Sequence, residues 1–228
     1  MSIKKNFFAP LASGLGATRR AAALLFVMML TTATAWADNV TYFDPTDAVN
    51  PTKTAENPTV ITSETTEIGT ADQTTWYYVS GTFTNYNRIE VKGTVNIILV
   101  DGCKFTVSKG IRVASTNALN IWAQKVAMGV HDDCGRLTAK HDGYDAAIGG
   151  NGGTDQNGNG TDGESSGTIT IYGGHIYVTG NIGGANGGKG NSWDDEPGTG
   201  GNGGNGTIII RDGHITVEGN LGGGSGGS

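Results

Sequence analysis

Proline is scarce, basic charge is scarce, and no apolar run is long enough to span a membrane; each shortage removes a class of protein. Five prolines against 39 glycines, with no G-X-Y register running through the chain, exclude a collagen-like fibre. The unbroken apolar run from Ala21 to Leu30 is half of the ~20 residues that a transmembrane helix needs. No segment after residue 37 carries a 3.6-residue helical period, which leaves β-structure as the expected fold class. Neither a serine-nucleophile motif nor a phosphate-cradling loop that opens a helix is present.

The first 37 residues read as an export signal. Lys4, Lys5, Arg19 and Arg20 form a positive region, an apolar core follows, and Ala35-Trp36-Ala37 is an A-x-A cleavage site before Asp38. Cleavage after Ala37 would give a secreted or cell-surface protein with no membrane span in the mature chain. The 11 basic and 21 acidic residues that remain give it a net charge of −10. Nucleic acid and anionic membrane surfaces attract clustered positive charge, so neither is an expected partner.

What the mature chain has in abundance is repetition. The stretch "GTITIYGGHIYVTGNIGGANGG" from Gly167 returns as "GTIIIRDGHITVEGNLGGGSGG" from Gly206, 39 residues later, with 14 of 22 positions identical. A further step of 39 back from Gly174 reaches Gly135, where "GRLTAKHDG" keeps the same alternation. Upstream, "RIEV" at Arg88 recurs as "GIRV" at Gly110, and "VNII" at Val95 as "LNIW" at Leu119, shifts of 22 and 24. Short strands with one apolar face, recurring at a rung of about 23 residues, are what a parallel β-solenoid requires, because each rung is stable only when stacked on its neighbours. An antiparallel β-sandwich, with turns every ~8–12 residues, leaves the 39-residue period unexplained. The expected organisation is a signal peptide at 1–37, an extended or capping segment at 38–74, and a β-solenoid at 75–228.

The expected inward residues are Ile97, Leu99, Phe105, Val107, Ile121, Ile169, Ile171, Ile176, Val178, Ile208, Ile210, Ile215 and Val217, with Thr170 facing out. A rung of about 23 within a period of 39 leaves room for an insertion in each repeat, and 30 of the 39 glycines lie between Gly143 and Ser228. These glycine-rich insertions, from Gly149 and from Gly183, are expected to project as long loops. Nothing after Val217 reads as a polar cap, so the last rung is expected to self-associate.

Few residues read as a site. In "NSWDDEPG", Trp193 offers a ring on which a sugar's C–H face can stack, with Asp194, Asp195 and Glu196 to accept hydroxyl hydrogen bonds. Tyr172 and Tyr177, outward on the adjoining strands, would extend that platform; a cover for the outer face is the alternative role of Trp193. Cys103 and Cys134 are candidates for a disulfide worth roughly 3–4 kcal/mol, or for two separate buried thiols. His175 and His214 stack in register but lack the convergent ligands of a zinc site, and read as an outward, solvated column. Asn181 and Asn220 read as turn residues that hydrogen-bond the next rung. Asp155 and Asp162 are weak calcium candidates, while His131, Asp132, Asp133, His141, Asp142 and Asp145 form the densest ionisable group. No metal or other cofactor is expected. Arg112, Arg136 and Lys140 are the bases that a polysaccharide-cleaving β-helix would offer.

The run "WYYVSGTFTNYNRIEVKGTVNIILVDGCKFTVSKGIRVASTNALNIWAQ", followed by "GRLTA", "AAIGGNGG" and "GTITIYGGHIYVTG", resembles a family of glycine-rich repeat proteins exported by gut and other host-associated bacteria. The resemblance covers Trp76 to Gly227. It implies a right-handed parallel β-helix at the cell surface, in proteins described as carbohydrate-binding or adhesin-like. The family continues into further repeats and C-terminal modules where this chain stops at "LGGGSGGS". The combined expectation is a non-catalytic structural or adhesive module that binds a polysaccharide or a host or cell-surface glycan. A polysaccharide-degrading β-helix enzyme is the alternative.

Overall fold

The computed structural model describes residues 39–126, 133–191 and 198–228. Among them every regular element is a β-strand, and no helix is long and apolar enough to cross a membrane. Strands β1 (Val40–Phe43) and β2 (Thr52–Ala55) form an antiparallel hairpin. There follow β3 (Thr59–Val60), β4 (Glu67–Val79), β5 (Thr82–Asn85), β6 (Ile89–Leu99), β7 (Lys104–Val107), β8 (Ile111–Arg112), β9 (Ala118–Ala123) and β10 (Arg136–Lys140). The glycine-rich half adds β11 (Ile148–Gly149), β12 (Gln156–Asn157), β13 (Thr168–Ile171), β14 (His175–Thr179), β15 (Ile182–Gly183), β16 (Gly190–Asn191), β17 (Thr207–Ile210), β18 (His214–Glu218) and β19 (Leu221–Gly222).

After the hairpin the named strands pair with one another in parallel and rung follows rung, with isolated antiparallel bridges at Ala114–Ser166 and Gly158–Asn191. One sheet runs β5-β7-β10-β14-β18; a second runs β17-β13-β9-β6-β8-β11-β15-β19, with β4 beside β6. The long strand β6 explains why the second sheet is so wide: Ile89 and Glu90 pair with β8, whereas Thr94 to Leu99 pair with β9. One strand thus starts two ladders. The 39-residue repeat is a register: Ile169 pairs with Ile208, Ile176 with Ile215, and Ile182 with Leu221. The shorter shifts hold too, with Ile89 opposite Ile111 and Val95 opposite Leu119. Parallel pairing reaches back through β4 to β3, so it begins before residue 75.

Side chains alternate across each strand, and the inward set fills one core. Ile97, Leu99, Phe105, Val107, Ile121, Ile169, Ile171, Ile176 and Val178 are buried together, and Ile208, Ile215 and Val217 pack partly buried against them. Ile210, on the last rung, is 49 % exposed. Two outward positions differ from the expectation of a solvated outer face: Thr170 and His175 are both buried. The outer face is therefore covered in places.

The larger correction concerns the glycine-rich insertions, which are not free loops. Their N–H donors recur at every third residue. Gly150 and Gly153 donate to the carbonyls of Gly183 and Asn186, and Gly160, Gly163 and Ser166 to Thr199, Asn202 and Asn205. Gly184 and Gly187 donate to Gly222 and Ser225, Gly201 and Gly204 to Gly188 and Ala185, and Gly224 and Gly227 to Gly204 and Gly201. A β-ladder would bond at every second residue; three residues per turn is the period of the polyproline II helix, which has no internal hydrogen bonds and must find them laterally. Segments 150–154, 160–166, 184–188, 199–205 and 223–227 accordingly bond to one another as a bundle. Glycine is needed because the backbones touch: a Cβ on Gly187 would lie 2.1 Å from the Gly201 oxygen, and one on Gly204 would lie 2.2 Å from that of Glu164. A collagen-like register is absent along the chain, yet a three-residue glycine spacing exists within each of these segments.

Two comparisons check this architecture. Ile171→Ala opens a cavity in the core and should cost about 2–5 kcal/mol in denaturant unfolding, whereas Thr138→Ala, on the outward side of β10, should cost about 1 kcal/mol or less. Gly187→Ala drives a methyl into the Gly201 carbonyl and should cost about 1–3 kcal/mol or more. At Gly223 the nearest atom to an added Cβ is 3.6 Å away, so Gly223→Ala should be neutral or slightly stabilising. Equal effects of the two glycine substitutions would mean that the bundle is not packed in solution.

Candidate functional site

The outward side of β4, β6, β9 and β13 carries a row of rings. Register places Tyr78 beside Ile98 and Ile98 beside Trp122; Tyr172 follows Ile171, the partner of Ile121. Tyr172 stacks on Trp122 with centroids 3.6 Å apart and planes 6° from parallel. At the other end the hairpin lays Tyr42 between Trp76 and Trp122, at 4.8 and 4.9 Å. The Trp122 indole N–H donates to Asn96 Oδ1 at 3.1 Å, and Asn120 Nδ2 donates to the same oxygen at 3.0 Å. Gln124 pins the hairpin by donating to the Thr41 carbonyl at 3.2 Å. Trp122 is left 7 % exposed, while Tyr172 retains open surface.

Tyr177 lies on the other sheet, on β14, with the Arg136 guanidinium 4.9 Å above its ring. The two tyrosines therefore face outward on different sheets, separated by Gly173 and Gly174. Trp193, Asp194, Asp195 and Glu196 lie outside the described residues, as do His131 and Asp132.

Of the cationic candidates, Arg112 is held by carboxylates, Arg136 lies over the Tyr177 ring and Lys140 is exposed at the end of β10; a further arginine, Arg88, is held by carbonyls. Arg112 makes a two-pronged contact with Glu164, Nε to Oε2 at 2.9 Å and a terminal nitrogen to Oε1 at 2.8 Å, and reaches Glu90 at 3.0 Å. Hydrogen bonding to Glu164 raises the Arg112 pKa and so favours the charged guanidinium. Arg88, deeper in, donates to the carbonyls of Lys109, Ala146 and Gly150 and to Asn151. Burial lowers its pKa, and Asp145 at 3.5 Å opposes that shift. Glu164 Oε2 also accepts the Asn151 N–H at 2.9 Å. These two arginines tie the start of the glycine bundle to β6 and β8. Sequence reading named Arg112 only as a candidate base and missed Arg88, although Arg88 opens the recurring "RIEV" motif.

The remaining candidates serve the stack. Asp155 accepts the Lys189 N–H at 2.6 Å, and Asp162 accepts that of Asn202 at 2.6 Å. Asn181 accepts the Asn220 N–H at 3.0 Å, the expected rung-to-rung bond. His175 and His214 stack with centroids 5.6 Å apart, but His175 is fully buried rather than solvated. His141 contacts the Gly143 carbonyl, Asp142 lies 3.7 Å from Lys109, and Asp133 pairs with Lys125. Among the described residues no group of three or more His, Cys, Asp or Glu is placed to hold a metal ion. Cys103 and Cys134 are buried and not joined as a bridge, the Cys134 thiol lies 3.5 Å from the Lys125 carbonyl oxygen, and burial pushes the Cys103 thiol up to about 11.

The Arg112–Glu164 contact predicts a pH dependence. Arg112 holds the Glu164 carboxyl below its ordinary value of 4.5, so the stability it contributes is present above that value and is lost as pH falls through the lower folded one. Glu164→Gln should cost about 1–2 kcal/mol near neutral pH, reduced from a buried pair's effect because the site is partly solvated, and less at about pH 3. Urea unfolding of both proteins at the two pH values measures the difference; a gap that does not narrow in acid would refute the assignment.

Family profiles, curated protein sequences and solved structures give no match to this chain.

Proposed function

We propose that the chain is a right-handed parallel β-helix exported to the cell surface, where it works as a non-catalytic structural and adhesive module that binds glycan. The observation that carries the reading is the row ending at Tyr172. A sugar gains more from stacking on a ring that is already held, and Trp122 behind Tyr172 holds it parallel at 3.6 Å. Trp193, with Asp194, Asp195 and Glu196, is the second proposed contact. The rung-to-rung registers and the resemblance from Trp76 to Gly227 support the β-helix; the export signal at residues 1–37 supports the location.

The arrangement of charge supports binding without turnover. A lyase needs a base free to accept a proton, and Arg112, one of the three candidate bases, is engaged by the carboxylates of Glu90 and Glu164. A glycan array run beside lyase and reducing-sugar assays tests the reading. The expected result is weak, saturable binding to a subset of glycans with no cleavage, abolished by Tyr172→Ala or Trp193→Ala and kept by Tyr177→Ala. Polysaccharide turnover, or binding that survives both aromatic substitutions, would overturn it.

A further inference from the structure

The row of rings ends at Tyr172, but its register continues onto β17. Ile171 pairs with Ile210, and the Arg211 N–H donates to the Ile171 carbonyl at 2.8 Å, so the ladder runs one residue past both strands. Arg211 therefore stands one strand along from Tyr172, and alternation puts both on the outer face of the sheet. Adjacent strands lie about 4.8 Å apart, which brings the arginine to the side of Tyr172 opposite Trp122. A further strand laid against β17 would lengthen the sheet in its own plane and leave this outer face as it is.

Two observations single out this cation. Among the described residues Arg211 has no carboxylate within ion-pair distance, and the carboxylate of Asp212 beside it is engaged by the Gly213 N–H at 2.7 Å. In the other sheet Arg136 lies 4.9 Å over the Tyr177 ring and occupies that face. Among the described residues Tyr172 carries no cation over its ring, so Arg211 stands beside the ring rather than on it.

Resting on the glycan reading of Tyr172, we propose that Tyr172 and Arg211 together select sugars that carry a carboxylate: the ring takes the apolar C–H face and the guanidinium takes the acid. The carboxylate of a uronic acid projects from the rim of the pyranose, so a sugar laid against Tyr172 presents it sideways, toward a neighbour in the row. A guanidinium fork binds such a group through two parallel N–H donors, and Tyr172, already held by Trp122, fixes the sugar that brings it there. The chain as a whole works against an anion, because residues 38–228 carry a net charge of −10. A preference for the acid therefore needs a local cation.

A panel of uronate oligosaccharides, each beside its own methyl ester, tests the proposal by NMR titration of the purified chain. Esterification keeps the pyranose and removes the charge. The unaltered chain should bind at least one acid about three- to tenfold more tightly than its ester. Arg211→Gln should bring the acid down to the ester's affinity, Arg211→Lys should keep part of the preference, and Tyr172→Ala should abolish binding of both forms. Lys104→Gln, the same loss of charge on an exposed residue of the other sheet, should leave the preference intact. Arg211 is exposed, so the circular dichroism spectrum of its variants should match that of the unaltered chain. Binding of neither acid nor ester would overturn this proposal together with the glycan reading. Equal binding of the two forms, or an acid preference that survives Arg211→Gln, would overturn this proposal alone.

Discussion

Everything in this chain depends on each rung satisfying the backbone hydrogen bonds of the next. A short strand such as β14 has five residues, too few to persist alone, and its donors and acceptors point along the stack. Parallel pairing at a fixed offset bonds all of them at once, to β10 on one side and β18 on the other. The offset then dictates sequence. Ile176 must lie over Leu137 and under Ile215, so an apolar residue must recur at the spacing of the rungs, and that spacing is what the repeat records.

The same constraint explains the glycines. An insertion between rungs either leaves the stack or continues it, and here it continues in another conformation. Polyproline II segments bond only sideways, so their backbones must approach closely, and Cβ atoms at the contacts would collide. Gly149, Gly183 and Gly222 mark the departure: they stack on one another with φ of 146°, 114° and 101°, and a Cβ on Gly149 would lie 1.8 Å from the Gly183 oxygen. The "AAIGG" motif is thus the sequence of that corner. Arg88 and Arg112 anchor the first inserted segments, where no earlier insertion lies beneath to bond them.

Legibility followed from periodicity. The registers of Ile169, Ile176 and Val95 were readable because a two-residue alternation repeated at a constant spacing names its own partners. The bundle was not, because glycine has no side chain to show a face and its three-residue spacing breaks off between segments. Burial of Thr170 and His175 was invisible for a different reason: alternation says which side a residue faces, and not whether that side is covered. The Trp122–Tyr172 stack lay between these cases. The two residues are 50 apart, and only the longer rung joining β9 to β13 brings them into one row. Trp193 stood out as a residue type in a polar segment, which signals chemistry but not position.

A stack held this way is stiff along its axis, because bending would open ladders on several faces at once. Stiffness is what an aromatic row needs, since a ring that must be immobilised on binding spends part of its interaction energy on lost side-chain freedom. Tyr172 is immobilised in advance: Trp122 lies against one side of it, and Trp122 is fixed by Asn96 and by Tyr42 of the hairpin. The hairpin thus reaches the outermost ring through one intermediate, Trp122. The backbone ladders that keep the rungs in register therefore also keep the row straight, and the proposed binding surface is a property of the stack as a whole.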